Sequence, residues 1–296
     1  MTTTHPVARR APRPKPRARP EPVSSDGATP RPGLIALLGS GETSPAGRKF
    51  HDFLVSRLPR PATVAILETP AGFQPNVDRV AGKIGEFLVR GLRNYDPRVL
   101  IVQARKRATP YDPDCPQIAH FVLPADYIFL GPGSPTYTVR QLRDSLTLRQ
   151  MQSRHREGAT LGFASAAALA AGTWVLPVYE IYKSGEDLRW EPGLDIFRPF
   201  GLDLTVVTHW NNKEGGKDLD TSRCYMGRER FDRLCAMLPP ETTILGVDEQ
   251  VSCVLDFAKG ECQVFGPGGV TIMHGGRTVL HGAGERFPVD ELRPTA

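Results

Sequence analysis

One serine stands where a buried strand is predicted to run directly into an alanine-rich helix. The segment is GATLGFASAAALAAG (158–172), and the serine is Ser165. A serine at such a turn exposes its hydroxyl, and the next backbone N–H, that of Ala166, is placed to stabilise an oxyanion. The same position suits a helix N-cap equally well, so the turn by itself leaves both roles open.

A second strand-to-loop junction lies upstream, where the apolar run DYIFLG (126–131) continues as GPGSPTY. Gly131 and Gly133 leave the backbone uncovered and permit positive φ. We expect the N–H of Gly133 to point to the same oxyanion as that of Ala166. The alternative is a tight Pro/Gly turn with no catalytic role.

A base and an acid follow in chain order. His209 ends the predicted β segment LTVVTHW, and Glu249 ends the segment TTILGVDE. A serine hydrolase needs a base to accept the hydroxyl proton and a carboxylate to orient that base. Ser165, His209 and Glu249 would supply all three groups. If Glu249 points away from the histidine, Asp248 is the next acid available.

The order of these motifs resembles that of the cyanophycinase and aspartyl dipeptidase (dipeptidase E) group of serine peptidases, over about residues 33–282. The motifs are GSGE (39–42), GPGS (131–134), ASAAA (164–168), the histidine after a β segment, RERFDRL (228–234) and GVDE (246–249). The resemblance implies a class I glutamine amidotransferase-like fold and assigns nucleophile, base and acid to Ser165, His209 and Glu249. It also makes a homodimer an expectation.

The resemblance implies a set of substrate-binding residues as well. The family's Arg-x-Arg-x-x-Arg-Leu run falls on Arg228, Arg230 and Arg233, which would face an acidic substrate group. Ser134 occupies a substrate-side position next to the oxyanion glycine. Salt bridges within one helix are the alternative role of the arginines.

Three departures from the family pattern bear on function. Phe163 and Ala167 stand where the family elbow has glycines, and an extra polar stretch, NNKEGGKDLDTS (211–222), follows the histidine. Cyanophycin itself is therefore not the expected substrate. The sequence predicts a hydrolase of a peptide or isopeptide amide, and it leaves open acyl transfer to another nucleophile. It also leaves open a binding or scaffold domain that has lost catalysis, because a fold survives such changes more readily than a mechanism.

The elements that must position these residues alternate along the chain. Apolar runs at 34–39, 63–68, 98–103, 126–131 and 159–164 are separated by helical patterns, including 77–92 and 138–155. Continuous apolar strands between amphipathic helices indicate a doubly wound, three-layer α/β domain with a mainly parallel sheet. Short β segments from 204 to 282 predict an antiparallel extension of the same domain, which would span residues 33–296.

Composition restricts the partners. Residues 1–32, rich in Pro and Arg, carry seven basic and two acidic side chains, so they account for the whole formal charge of +5. We expect a disordered arm there, with a solvated leader or a tether to an acidic partner as its roles. The neutral remainder does not favour nucleic-acid binding.

Neither a cofactor nor a membrane is expected. The five cysteines have no zinc-site spacing, and GSGETS (39–44) has Ser44 in place of the third glycine of a dinucleotide fingerprint. Without a signal-like or membrane-spanning apolar run, the chain is expected in the cytoplasm. Cys224 and Cys253, near the proposed base and acid, remain alternative thiol nucleophiles, although neither lies at an elbow.

Overall fold

The computed structural model describes residues 31–294, so the arm predicted over 1–32 lies almost wholly outside the described residues. Fourteen strands are formed within this part of the chain. They are β1 (Ile35–Leu38), β2 (Thr63–Leu67), β3 (Arg98–Val102), β4 (Tyr127–Leu130), β5 (Thr160–Ala164), β6 (Trp174–Val175), β7 (Glu191–Pro192), β8 (Leu204–Val207), β9 (Thr243–Val247), β10 (Ser252–Asp256), β11 (Glu261–Phe265), β12 (Val270–His274), β13 (Arg277–His281) and β14 (Arg286–Pro288). The α-helices are α1 (Pro45–Val55), α2 (Val77–Gly91), α3 (Pro116–Ala119), α4 (Pro135–Leu142), α5 (Leu146–Arg156), α6 (Ala166–Ala171), α7 (Val178–Tyr182) and α8 (Gly227–Cys235).

An eight-stranded sheet forms the centre of the fold, in the order β14-β11-β10-β1-β5-β4-β2-β3. The five strands from β1 to β3 in this order are parallel, and β10, β11 and β14 add to the β1 edge in antiparallel fashion. The carboxyl ends of β4 and β5 therefore lie side by side, which brings the two loops predicted to form the oxyanion site together.

Both faces of this sheet are buried, as the continuous apolar strands require. Alternate residues of β1 point to opposite cores: Ala36 and Leu38 pack with α1 and α2, whereas Ile35 and Leu37 belong to the core on the other face. That second core also contains α4, α5, α6 and the inner side of the smaller sheet. The predicted three-layer α/β architecture is confirmed.

A four-stranded sheet, in the order β13-β12-β9-β8, leads into the loops of the predicted base and acid. Strands β8 and β9 are parallel neighbours, with Val207 opposite Gly246, so their carboxyl ends also lie side by side. The loops that contain His209 and Glu249 start from these two ends. The predicted C-terminal extension is thus divided between two sheets.

One predicted helix differs from the structure, and one predicted β region is divided between two sheets. The helix expected over 138–155 is two helices, α4 and α5, because Asp144 adopts positive φ (58°) and Ser145 caps α5 by accepting a hydrogen bond from Leu148 N–H at 3.1 Å. The region 262–276, predicted as short β segments with Gly-rich turns, forms β11 and β12, which belong to different sheets, with Gly266 at φ 111° between them. In both places a residue with positive φ turns the chain.

Within residues 31–294, none of the helices combines the length and the apolar character needed to cross a membrane.

Candidate active site

The turn at Ser165 has the backbone geometry of a nucleophile elbow. Ser165 follows β5 directly and adopts φ 51° and ψ −117°, a combination that side chains with a Cβ rarely accept. Its N–H donates to the carbonyl of Leu38 at the end of β1 (2.9 Å), and its own carbonyl accepts from Ala168 N–H (3.0 Å), which starts α6. All six residues of α6 are buried, and their small side chains let this helix pack against α4 and β8. The backbone of Ser165 is therefore fixed by a hydrogen bond to β1 on one side and by the first turn of α6 on the other.

Phe163 and Ala167 are compatible with this elbow. Phe163 lies on β5 with its side chain completely buried in the core, on the face away from α1 and α2. Ala167 is buried in the first turn of α6. The absence of the family's two glycines thus leaves the strained turn at Ser165 in place.

His209 lies against the serine. The distance from Ser165 Oγ to His209 Nε2 is 2.9 Å, a hydrogen bond between groups that are 44 residues apart in the chain. His209 follows β8 after one residue and also adopts positive φ (50°), which turns its ring toward β5. The spacing suits proton transfer from the hydroxyl to the imidazole.

Glu249 is on the other side of the imidazole. Its Oε1 lies 2.9 Å from His209 Nδ1 and accepts a second hydrogen bond, also 2.9 Å, from Asn212 Nδ2. Burial alone would raise the pKa of Glu249, but the hydrogen bonds from His209 and Asn212 hold it below its ordinary value. The carboxylate is therefore ionised at neutral pH and can stabilise an imidazolium.

The loop that carries the acid is supported by the first β-strand. The Gly39 N–H donates to Val251 O at 2.9 Å, and Ser40 Oγ accepts from Gln250 N–H at 3.2 Å. A Cβ at Gly39 would stand 2.0 Å from the carbonyl oxygen of Asp248, so only glycine allows this approach. The GSGE motif thus holds the acid loop in position. Asp248 itself points away from the histidine and accepts from Gly269 N–H at 3.0 Å.

Two residues with an unused backbone N–H among residues 31–294 lie in the cleft beside Ser165. Gly133 and Ala166 both line the cleft around Ser165, and neither N–H donates to another residue among 31–294. Gly133 has φ 155°, and a Cβ there would lie 1.8 Å from the carbonyl oxygen of Pro70, which accepts from Ser134 N–H at 2.9 Å. The loop of Gly133 is consequently locked against the 3₁₀ turn Thr69–Ala71.

The cleft beside the serine has a volume of about 360 Å³. Tyrosines and aliphatic side chains form most of its wall, with one lysine and one glutamate at its exposed rim. The lining residues besides those of the catalytic centre are Pro135, Leu169, Val178, Tyr179, Tyr182, Lys183, Glu214, Cys224 and Tyr225. A peptide-sized group fits this space.

A left-handed turn forms one side of the cleft. Arg223, Cys224 and Tyr225 have φ values of 57°, 57° and 68°, an unusual run for residues with side chains. The Arg223 guanidinium lies over the Trp210 ring, 3.7 Å from its centroid, and Cys224 N–H donates to the His209 carbonyl at 3.2 Å. This turn therefore fixes the backbone of the base.

The alternative thiol nucleophiles are poorly placed for attack. Cys224 lines the cleft, but burial raises the pKa of its thiol to about 12, so the reactive thiolate is scarce at neutral pH. Cys253 is buried within β10. The side chain that is hydrogen-bonded to His209 Nε2 is that of Ser165.

The structure does not bring the three arginines to the cleft. All of them lie on α8; Arg228 and Arg233 are exposed on its outer side. Arg230 donates to the carbonyls of Met226 (2.6 Å) and Tyr225 (2.8 Å). Ser134 is buried outside the cleft, where its hydroxyl caps α4 by accepting from Tyr137 N–H at 3.2 Å.

The sequence did not point to Asn211 and Asn212. Both come from the extra polar stretch after the histidine; Asn211 Oδ1 accepts from Glu249 N–H at 2.9 Å, and Asn212 bonds the carboxylate. A run of polar residues after a strand is ordinarily a solvated loop, so only the fold identifies this pair. The cleft residues Tyr179, Lys183 and Glu214 likewise gave no local signal.

Comparison with known proteins identifies a solved structure that has the same fold as this chain. No protein-family model matches the chain, and no curated protein does. The structure of a peptidase from an acI-B1 Actinobacterium superposes with a TM-score of 0.69 at 21% identity, covering 88% of this chain and 98% of that one. A candidate peptidase E from Listeria monocytogenes EGD-e gives a TM-score of 0.49 at 12% identity, covering 85% and 98%. The first similarity shows that the chain has the fold of the actinobacterial peptidase.

Proposed function

We propose that this chain is a serine peptidase of the cyanophycinase and dipeptidase E type that hydrolyses a peptide or isopeptide amide bond. Ser165 Oγ attacks the carbonyl carbon while His209 Nε2 takes its proton, and the amides of Gly133 and Ala166 bind the resulting oxyanion. The proton then passes from His209 to the leaving amine as the amide bond breaks. Water, deprotonated by His209, releases the acyl group from the serine.

One observation carries this proposal: the continuous hydrogen-bond chain from Ser165 through His209 to Glu249, with both links 2.9 Å long. The three side chains come from loops after β5, β8 and β9, and nothing in the local sequence forces them together. The positive φ of Ser165 adds support, because such strain persists where the surrounding structure holds it for a function. The fold shared with a peptidase agrees with the same chemistry.

The competing function is a binding or scaffold domain without catalysis. Its basis was the loss of two glycines at the elbow, yet the turn, the base and the ionised acid are all in place around Phe163 and Ala167. A domain that only binds has no need to keep an uncovered pair of amides beside a hydrogen-bonded serine. We therefore favour the peptidase.

The proposal is tested by labelling the purified full-length protein with a fluorophosphonate and measuring intact mass. We expect one adduct on wild type and none on Ser165→Ala or His209→Ala. Ser145→Ala is the matched control, since its hydroxyl also caps a helix and Ser145 does not line the cleft. It should label as wild type does, provided circular dichroism shows a folded protein.

Substrate screening follows labelling. Dipeptides and oligopeptides with α- and β-aspartyl bonds test the family's specificity, and added hydroxylamine tests for an acyl-enzyme intermediate by trapping its acyl group as a hydroxamate. Absence of an adduct on folded wild-type protein, together with no turnover of any peptide, would favour the binding domain.

A further inference from the structure

A second depression adjoins the catalytic cleft and has no role in the chemistry described above. Its volume is about 430 Å³, and Tyr179 lines both spaces. We define the aromatic subsite by its lining residues, Phe73, Gln74, Ser134, Tyr137, Arg140 and Tyr179. We propose that it binds an aromatic residue of an oligopeptide substrate longer than a dipeptide, with Arg140 bound to a carboxylate of that peptide. This inference rests on the proposed peptidase function.

Two of the three aromatic side chains of the subsite are exposed to solvent. Phe73 is 50% exposed and Tyr179 is 45% exposed, although both are large and mainly apolar. The Phe73 ring lies 5.1 Å from that of Tyr137, measured between centroids, with the two planes tilted by 57°. An aromatic group entering here would gain contact with rings already arranged for tilted or stacked pairing. Exposed aromatic surface at the edge of a catalytic cleft is typical of a binding surface.

The walls of the subsite are fixed relative to the reacting serine. Tyr137 is almost fully buried, and its hydroxyl donates to Arg105 O at 2.9 Å. Phe73 follows the 3₁₀ turn Thr69–Ala71, whose Pro70 carbonyl accepts from Ser134 N–H next to Gly133. The same loops therefore build the oxyanion site and the subsite. A peptide held in one space is aligned with the other, as productive binding requires.

Tyr179 lines both spaces, and the helix that carries it is fixed by buried neighbours and by a hydrogen bond to α4. It lies on α7, where its neighbours Val178 and Ile181 are buried. The carboxylate of Glu180 accepts from Thr136 Oγ1 at 2.6 Å, which ties α7 to α4. The helix that carries Tyr179 is thus held in place, and its ring lies between the two spaces, where an extended chain can pass from the cleft to the subsite.

Arg140 supplies charge at the subsite. It is exposed in the last turn of α4, and its guanidinium donates to no residue within 31–294. Guanidinium groups bind carboxylates in a two-pronged geometry and stack on aromatic rings. A carboxylate-binding role, which the resemblance implied for the arginines of α8, falls in this proposal on Arg140 of the subsite instead.

The experiment is a position scan with alanine-based peptides of two to six residues, in which one phenylalanine is moved along the chain. Each peptide is made with a free and with an amidated C-terminus, and kcat/KM is measured for the full-length protein. For wild type we expect one position of phenylalanine, not adjacent to the scissile bond, to raise kcat/KM about tenfold over alanine. Phe73→Ala should abolish that preference and leave cleavage of all-alanine peptides within about twofold of wild type.

Arg140→Gln tests the charge separately. It should remove the preference for a carboxylate over an amide and keep the preference for phenylalanine. Peptides with an amidated C-terminus and one alanine replaced by aspartate then show whether the bound carboxylate is a side chain or the C-terminus. Matched controls are Phe121→Ala, another half-exposed phenylalanine, and Arg277→Gln, an exposed arginine on β13. Neither should change any preference.

Two results would overturn the subsite while leaving the proposed function intact. The first is a wild-type protein that is labelled and active but shows no preference for phenylalanine at any position. The second is a Phe73→Ala variant that loses kcat/KM equally for all peptides and changes its mass in solution, because that result would assign this surface to a contact between two copies. Failure of labelling, by contrast, would count against the peptidase function itself.

Discussion

Asn212 is predicted to control the ionisation and orientation of the catalytic acid. Its amide makes two bonds: Nδ2 donates to Glu249 Oε1 at 2.9 Å, and Oδ1 accepts from Glu214 N–H at 3.1 Å. The side chain is buried, so water does not replace a lost bond easily. The substitution Asn212→Asp keeps the acceptor for the loop, removes the donor to the acid and places a second carboxyl group beside it.

The size of the effect follows from the bond that is lost. A hydrogen bond to a charged group contributes about 1.5–3 kcal/mol, and about 1.4 kcal/mol corresponds to a tenfold change in rate. If the bond acts fully in the transition state, labelling of Ser165 should slow by roughly 10- to 100-fold. The new carboxylate also faces Glu249, and two neighbouring carboxylates do not ionise together, so the pKa of the pair is raised. Labelling of the variant should therefore decline on acidification at a higher pH than labelling of wild type.

The assay is the second-order rate constant for fluorophosphonate labelling, measured from about pH 5 to 9. Asn76→Asp is the control, since it makes the same change at an exposed position before α2 where the side chain caps nothing. A folded Asn212→Asp variant that labels at the wild-type rate, with the wild-type pH dependence, would refute the role of this bond.

Three further predictions concern the elbow, the oxyanion site and acid stability. Gly133→Ala should slow labelling by about 10²- to 10³-fold, because a Cβ there would lie 1.8 Å from the carbonyl oxygen of Pro70 and the loop must move; circular dichroism should still report a folded chain. Ala167→Gly, which restores a family glycine, should leave labelling within about twofold of wild type and cost about 1 kcal/mol in urea unfolding; a large gain in labelling would mean that alanine impairs the elbow. Burial lowers the pKa of His51 from 6.5 to about 4 in the folded protein. As pH drops from 6.5 to about 4, this histidine is therefore protonated in the unfolded chain but not in the folded one. The free energy of unfolding should fall by about 3 kcal/mol over this range. His51→Gln should flatten that dependence and the exposed His120→Gln should not; equal pH profiles for wild type and His51→Gln would contradict the assignment.

The parts of the site that the sequence predicted are those with a local signal. A buried strand followed at once by a small-residue helix leaves little choice for the chain at Ser165, and a histidine and an acid each end a β segment. Parallel strands then bring these ends to one edge of a sheet. The three-layer fold was predictable for the same reason, since the apolar runs and helical periods are strong.

The positions of the α8 arginines could have been predicted from helical periodicity. Phe231 and Leu234, with Gly227 one turn earlier, mark the buried face of this helix. Arg228 and Arg233 fall on the other face, so helical periodicity alone directs them to solvent. The break in the helix predicted over 138–155 is similar, because a serine at position 145 is a good N-cap.

The remaining features had no local signal. Asn212 meets Glu249 across 37 residues of sequence, and its partner is set by how β8 and β9 pair. Tyr179 and Arg140 lie beside the cleft only because α7 is tied to α4. Such contacts depend on tertiary packing, which single-sequence patterns do not encode.

The proposed base and acid leave neighbouring strands of one sheet, whereas the proposed nucleophile leaves the other sheet. The acid loop is also bonded to the loop after β1, through Gly39 N–H and Ser40 Oγ, so both sheets hold Glu249 in position. A displacement of about 1 Å between the sheets would lengthen the bond from Ser165 to His209. We therefore expect substitutions in the core between the two sheets to change the labelling rate of Ser165 without any change to the residues that line the cleft.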